Sequence, residues 1–242
     1  MYPVKFENIC KEYSGKKILD NINIHIEENK ITSIIGRSGS GKSTILKTIN
    51  GLVKPSSGKL FVFDKPIDYD HINELRLQIG YSVQSTALFP HMNVYENITI
   101  LARLQNWEQD KVNERSELLM KLVSLPSEFK IKYPYQLSGG EQQRVGICRA
   151  MILNPKIFLL DEAFGALDPT TKNEIHHELL TIQKTEPRTI IMVTHDLREA
   201  FKLADKIIIV EKGVIQQTGT KDEILKNPSN EFVKYFIEAQ FD

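Results

Sequence analysis

The sequence predicts an α/β fold, and three observations carry that expectation. Short continuous apolar runs alternate with longer helical stretches, as parallel strands covered on both faces require. A glycine-rich segment follows one of these runs and opens a helical pattern. Another run ends in two carboxylates, Asp161 and Glu162, at the carboxyl end of a strand, where open α/β sheets bind ligands.

The elements follow in order. Val4, Phe6 and Asn8 alternate with Lys5 and Glu7, and Ile22, Ile24 and Ile26 alternate with polar residues. Period two implies half-exposed antiparallel strands, hence a small β layer beside the parallel sheet. Buried strands are expected at Ile31 to Ile35, Ile79 to Val83, Ile157 to Leu160, Thr189 to Val193 and Lys206 to Val210. Between Leu88 and Ile152 no strong strand signal occurs, and Glu108 to Leu125 places Leu118, Leu119, Leu122 and Val123 on one helical stripe. A helical insertion over about 88–152 is expected. Asp168 followed by Pro169 reads as an N-cap with proline at the first helical position, and Ile175, Leu179 and Ile182 supply that helix's apolar face. The tail, about 220–242, reads as helical with a break near Asn227, Pro228 and Ser229.

Composition limits the function classes. The 242 residues suit one large or two small domains. Lys+Arg and Asp+Glu both number 31, with no basic domain or stripe, which argues against a nucleic-acid partner. Apolar runs such as Ile207 to Val210 fall far short of the roughly 20 residues that span a bilayer. The N-terminus lacks the charged-then-apolar form of a secretory signal, so a cytosolic chain is expected. Cys10 and Cys148 lie far apart in apolar-patterned segments, which excludes a CxxC site and predicts small buried thiols.

GRSGSGKST, Gly36 to Thr44, separates the run Ile31 to Ile35 from the helical pattern Ile45, Leu46, Ile49, and matches GxxxxGK[ST] in strand, loop, helix context. Backbone N–H groups of such a loop converge on phosphate oxygens, and side chains at Gly36, Gly39 and Gly41 would obstruct the approach. Lys42 would meet the β and γ phosphates of a nucleotide, and the Ser43 hydroxyl would ligate Mg²⁺. Arg37, Ser38, Ser40 and Thr44 complete the loop. Asp161 is placed to hold Mg²⁺ directly or through water. Glu162 could polarise an attacking water, a general-base role worth ~10²–10⁴ in rate. Alone, two acids ending a strand make a solvated turn; beside a phosphate loop they read as a site.

LSGGEQQR, Leu137 to Arg144, opens a second helix. Ser138 can cap it, with Glu141 three residues later closing a capping box, and Ser138, Gly139 and Gly140 form another anion-ready N-terminus. With these motifs in place, the chain resembles the ATP-binding cassette (ABC) ATPases along essentially its whole length. In family order stand Tyr13, the loop Gly36 to Thr44, Gln84 after a strand, LSGGEQQR, Asp161 with Glu162, GALD at Gly165 to Asp168, and His195 in VTHD.

The resemblance implies a P-loop NTPase with a RecA-like, mainly parallel core sheet, a small antiparallel β subdomain and an inserted helical subdomain. It implies ATP hydrolysis with ATP and Mg²⁺ bound, in a head-to-tail dimer. There the loop of one chain faces Ser138, Gly139, Gly140 and Glu141 of the other, so the second anion site is used in trans. Tyr13 would stack on adenine, although a strand-end tyrosine is ordinarily plain packing. Gln84 would contact Mg²⁺ and the attacking water, and His195 would hydrogen-bond the γ-phosphate and orient Glu162 and the water. His25, His71, His91, His176 and His177 read as structural. Many family members have proline after the glutamate, whereas Ala163 follows Glu162 here, a change expected in loop rigidity rather than chemistry.

LFPHMNVYENI at Leu88 to Ile98, DEAFGALDP, VTHDLREA and the ending EFVKYFIEAQFD resemble importer ATPases for osmoprotectants such as glycine betaine, choline or carnitine. The implied partners are a second copy or paired ATPase, two membrane permease subunits and an external solute-binding protein. The implied location is peripheral, on the cytoplasmic face of the bacterial inner membrane, with Leu88 and Phe89 as docking candidates. Several such ATPases carry a regulatory CBS pair, and 242 residues are expected to be too few to hold one beside the ATPase domain. An importer of amino acids or another small solute, and a non-transport ATP switch, are the alternatives within the family. A small-molecule kinase would need neither LSGGEQQR nor His195.

Overall fold

The fold is given by a computed structural model, which describes residues 2–83, 87–165 and 167–241. In chain order its first elements are β1 (Val4–Tyr13), β2 (Lys16–Ile26), β3 (Ile31–Ile35), α1 (Lys42–Ile49), β4 (Ser57–Val62), β5 (Lys65–Pro66), α2 (Ile72–Arg76) and β6 (Ile79–Val83). There follow α3 (Val94–Leu104), α4 (Gln109–Leu122), α5 (Gly139–Met151), β7 (Ile157–Asp161) and α6 (Pro169–Thr185). The last are β8 (Thr189–Thr194), α7 (Leu197–Leu203), β9 (Lys206–Glu211), β10 (Val214–Gly219), α8 (Lys221–Lys226) and α9 (Glu231–Phe241). The chain forms two compact units, one of Met1–Arg76, Leu159–Glu162 and Arg188–Asp242, the other of Leu77–Phe158 and Ala163–Pro187.

In the first unit, β2-β1-β4-β5 form an antiparallel sheet. Its alternation follows the sequence through Phe6 and then shifts. Asn8 has φ +50° and is exposed, its N–H donating to Asn23 Oδ1 at 3.0 Å, and the register slips between Phe6 and Ile9. Ile9, not Asn8, takes the next buried position. A bulge breaks the expected period and hands the next inward position to Ile9, and the register shifts twice more before Glu12. The second sheet runs in the order β10-β9-β3-β8, with the end of β7 beyond β8. β3 is parallel to both β8 and β9, and β10 returns antiparallel to β9. All residues of β3 and β8 are buried, as a strand covered on both faces must be. Ile35, Leu197, Ile207, Ile224, Val233 and Phe236 join one core beneath α7, α8 and α9, each burial worth about 1.5–3 kcal/mol.

The second unit holds β6, which neighbours β7 in the strand order, and helices α3 to α6. Asn93 and Glu96 cap α3 reciprocally. The stripe of α4 differs from expectation. Leu119 and Val123 are buried as expected, but Leu118 is exposed and Leu122 half-buried, and Val112, Ser116 and Met120 complete the inward face. The apolar residues near the helix end suggested a seam about one position off, because Ser116, buried and donating to Asn113 O at 2.9 Å, occupies an inward place. Asp168 caps α6 as its sequence predicts, accepting from Thr170 and Thr171 N–H at 3.1 Å each, with Pro169 at the first helical position. Cys148 is buried, and burial pushes its thiol well above the ordinary range. Cys10 departs from expectation: it is only half-buried, because β1 has shifted register beside it.

Candidate nucleotide site

The first unit assembles the loop from three local causes. β3 ends at Ile35, Gly36 to Gly41 turn the chain, and α1 begins at Lys42. Gly41 sits at the cap position with φ +103° and no side-chain cap, so the first-turn N–H groups of α1 receive no protein cap, as an anion site requires. The three glycines are needed for different reasons. A Cβ on Gly36 would collide with the Val210 carbonyl oxygen, and one on Gly41 would lie 2.8 Å from Leu19 Cδ2 and 2.9 Å from Ile18 O. Gly39 faces open space and is required by its φ of +77°. At Gly36 and Gly41 the obstruction expected of a side chain therefore falls on neighbouring β-strands rather than on a ligand alone.

Lys42 is buried, and its ammonium donates to Gly36 O and Arg37 O, both at 2.9 Å. Burial holds its pKa below the ordinary lysine value, against the opposing pull of Glu162, Asp161 and Glu211. Ser40 N–H donates to Arg37 O at 3.2 Å, and Gly213 N–H donates to Ser40 O at 2.9 Å, tying the loop to the turn between β9 and β10. Arg37 and Ser38 are exposed, and Thr44 lies half-buried in the first turn. Tyr13, half-exposed at the end of β1, has the Lys11 ammonium 4.7 Å from its ring centroid, so its π face is already used by a cation.

Ser43 Oγ donates to Asp161 Oδ1 at 2.7 Å, which brings a loop hydroxyl and a strand-end carboxylate together across a long sequence separation. Glu162 follows with φ +49°, a conformation costing a non-glycine residue about 1–2 kcal/mol, and its N–H donates to Val193 O at 3.0 Å. That bond ties the turn after β7 to β8. His195 follows β8 directly, and its Nδ1 lies 3.7 Å from Glu162 Oε2, within ion-pair reach but beyond a hydrogen bond. Lys42, Ser43, Asp161, Glu162 and His195 thus belong to one unit. Gln84 lies outside the described residues.

In the second unit Ser138 and Glu141 form the capping box their spacing predicts, Ser138 N–H donating to Glu141 Oε2 at 2.7 Å and Glu141 N–H to Ser138 Oγ at 3.3 Å. A Cβ on Gly140 would meet the Thr171 methyl of α6, whereas Gly139 has open space. Arg144 pairs with Glu174 at 2.7 Å and Glu178 at 3.3 Å on α6, and burial pushes the Glu178 carboxyl up while Arg144 pulls it down. His176 is buried edge-on against Phe164.

Sequence reasoning missed two polar residues. Gln143, almost fully buried, donates to Ser82 Oγ at 3.3 Å on β6, the strand that leads to Gln84. Gln240, on the last turn of α9, donates to the His195 carbonyl at 3.4 Å. A glutamine carries no periodic signal; only its position on an otherwise apolar helix face could have marked either.

An uncapped glycine loop, a buried lysine and a strand-end carboxylate bonded to the loop serine define a phosphate-loop nucleotide protein. The model of the family described as ABC transporter matches residues 19–165, and the chain belongs to that family. It is 46% identical over 235 residues to the carnitine transport ATP-binding protein OpuCA of Listeria monocytogenes, covering 97% of this chain and 59% of that protein. It is likewise 46% identical over 235 residues to the glycine betaine/carnitine/choline transport ATP-binding protein OpuCA of Bacillus subtilis, covering 97% and 62%. The chain therefore spans about three-fifths of the length of these curated relatives. Among solved structures it resembles MJ0796, described as a bacterial ABC transporter cassette and solved as a dimer, at TM-score 0.82 and 32% identity over 90% of this chain and 98% of that one. The same protein is also known in a post-hydrolysis state bound to ADP and Pi. The α/β fold read from the sequence agrees with that likeness. Among the described residues no helix is long and apolar enough to cross a membrane.

Proposed function

We propose that this chain is the ATP-binding and ATP-hydrolysing subunit of an ABC importer for a quaternary ammonium osmoprotectant, such as glycine betaine, choline or carnitine. The observation that carries the hydrolytic reading is the contact of Ser43 with Asp161 at 2.7 Å beside Glu162 and His195. The cargo rests on the transport relatives named above.

In this reading the first-turn N–H groups of α1 and the Lys42 ammonium bind the nucleotide's phosphates, Lys42 exchanging loop carbonyls for phosphate oxygens. Ser43 and Asp161 offer a hydroxyl and a carboxylate, the hard oxygen donors that suit Mg²⁺. Bound there, Mg²⁺ would neutralise charge on the β and γ phosphates. Glu162 accepts the proton of the attacking water, and His195 orients that carboxylate from 3.7 Å. Tyr13 offers its ring to adenine in exchange for Lys11. Gln84, outside the described residues, is proposed to contact metal and water as in the family. Ser138, Gly139, Gly140 and Glu141 complete the site of a second copy, so a single chain holds two half-sites.

The proposed domain organisation is one ATPase domain with a helical insertion over 88–152 and a helical tail. The insertion and the loop after Gln84 dock the chain on the cytoplasmic face of the membrane, in a complex that also holds two membrane permease subunits and an external solute-binding protein. Phe89 supports this reading: it is exposed, and buried Asn97 clasps its backbone, accepting from Phe89 N–H at 2.8 Å and donating to Phe89 O at 3.1 Å. A rigidly held exposed aromatic suits an interface anchor.

The test is Glu162→Gln. It is expected to bind ATP, hydrolyse it at least about a hundredfold more slowly, and accumulate as a nucleotide-held dimer. Hydrolysis at the wild-type rate would remove Glu162 as the base. Substrate-stimulated ATPase of the reconstituted complex, measured with quaternary ammonium compounds, tests the cargo; no response to any of them would favour another solute.

A further inference from the structure

α9 reaches the loop that carries His195. Gln240, half-buried, uses both ends of its amide there: Nε2 donates to His195 O at 3.4 Å, and Oε1 accepts from Leu197 N–H at 3.5 Å. Leu197 opens α7, so its N–H is one of the donors a helix start leaves unsatisfied. Asp196 Oδ1 accepts from the next two, Arg198 N–H at 2.9 Å and Glu199 N–H at 3.2 Å, and Ala200 N–H reaches Asp196 O at 3.2 Å. Three of these bonds come from Asp196 itself. The first comes from another helix.

The rest of the loop is fixed from below. Thr194 Oγ1 accepts from Asp196 N–H at 3.0 Å and donates to Glu199 Oε2 at 2.6 Å, both partners on the α7 side of His195. The His195 carbonyl gains its contact from Gln240, while the ring stays largely exposed, 3.7 Å from Glu162. Val233 and Phe236 bury α9 in the core with Ile35 and Leu197, and Phe232 lies 5.5 Å under the Arg37 guanidinium of the phosphate loop. The helix is therefore anchored on both nucleotide-facing loops of its unit.

We propose that Gln240 is a positioning residue for His195: the α9 amide clips the 195–197 backbone, so that the imidazole is presented to Glu162 in one orientation. Gln240 acts only through the backbone that carries His195. The inference rests on the ATPase reading for its kinetic consequence, but the clip itself can be read without hydrolysis.

The experiment compares wild type, Gln240→Ala and Gln240→Glu, each alone and with His195→Ala. Gln240→Glu can still accept from Leu197 N–H but cannot donate to His195 O, so it separates capping of α7 from positioning of His195, and it keeps the question open to test if Gln240→Ala folds poorly. Both variants are expected to lose about three- to tenfold in kcat with the KM for ATP unchanged, and to lose nothing further in the His195→Ala background. The second readout is the ring resonance of His195 by NMR without nucleotide. In wild type Glu162→Gln should shift it, and in both Gln240 variants that response should shrink. Wild-type kcat in Gln240→Glu, or an undiminished His195 response, would overturn the proposal. Absence of ATPase activity in wild type would instead overturn the hydrolytic reading, with the NMR response still deciding the role of Gln240.

Discussion

Gly41→Ala and Gly39→Ala change the same loop by the same methyl group, yet their expected costs differ. At Gly41 the new Cβ meets Leu19 Cδ2 at 2.8 Å and Ile18 O at 2.9 Å, and the backbone stands at φ +103°. The leucine methyl can turn aside, but the carbonyl belongs to β2 and cannot. Strain and overpacking together cost about 3 kcal/mol. At Gly39 no atom lies within 4 Å, and only the φ of +77° is unfavourable, about 1 kcal/mol. With roughly 2–4 °C per kcal/mol for a chain of this size, Gly41→Ala should lower Tm by about 6–12 °C and Gly39→Ala by about 2–4 °C. Thermal unfolding followed by circular dichroism measures both, and isothermal titration calorimetry with ATP measures binding. Gly39→Ala should lose ATP affinity out of proportion to its stability, because its methyl enters the space in front of the loop. Equal Tm losses would refute the argument, since they would mean that the β2 carbonyl is not what excludes a side chain at Gly41.

Other consequences follow from single contacts. Hydrogen bonds from the Thr171 side chain and the Thr170 and Thr171 N–H groups hold the Asp168 carboxyl below the usual carboxylate range. Its contribution to stability is therefore present above the unfolded pKa of about 3.9 and lost as pH falls through the lower folded value. Asp168→Asn keeps a capping oxygen, so its urea midpoint should fall less than that of wild type between about pH 5 and pH 3; parallel curves would contradict this. Phe89→Ala should recover less of a co-expressed permease in a pull-down, with thermal stability within about 1 kcal/mol of wild type because the ring is exposed; unchanged recovery would remove Phe89 from the interface.

Much of the fold was legible because the continuous apolar runs were clean. The five continuous apolar runs became β3, β6, β7, β8 and β9, since a strand covered on both faces needs no polar residue to interrupt it. Legibility failed where one residue changed the geometry. Asn8 is a residue type that enters the left-handed region readily, but the regular alternation from Val4 masked that signal, so the inward position passed unseen to Ile9. On α4 the apolar count drew attention to Leu118, which is exposed, and away from Ser116, which is buried because its hydroxyl bonds back to the helix. The site was legible as motifs but not as mechanics. Sequence marks three glycines alike, whereas Val210, Ile18 and open space each impose a different demand on them. Gln240 was invisible because its role depends on two helices far apart in the chain meeting at one loop.

The central claim is that this chain hydrolyses ATP only when its phosphate loop is completed by the Ser138 turn of a second copy. Lys42→Ala and Ser138→Arg each disable one half-site, and each variant alone should be nearly inactive as an ATPase. Mixed in equal amounts, they should recover substantial activity, because a mixed dimer contains one site whose Lys42 and Ser138 are both intact. Activity of the mixture no greater than the average of the two separate variants would contradict the account, since it would mean that the two motifs do not meet across a pair of chains.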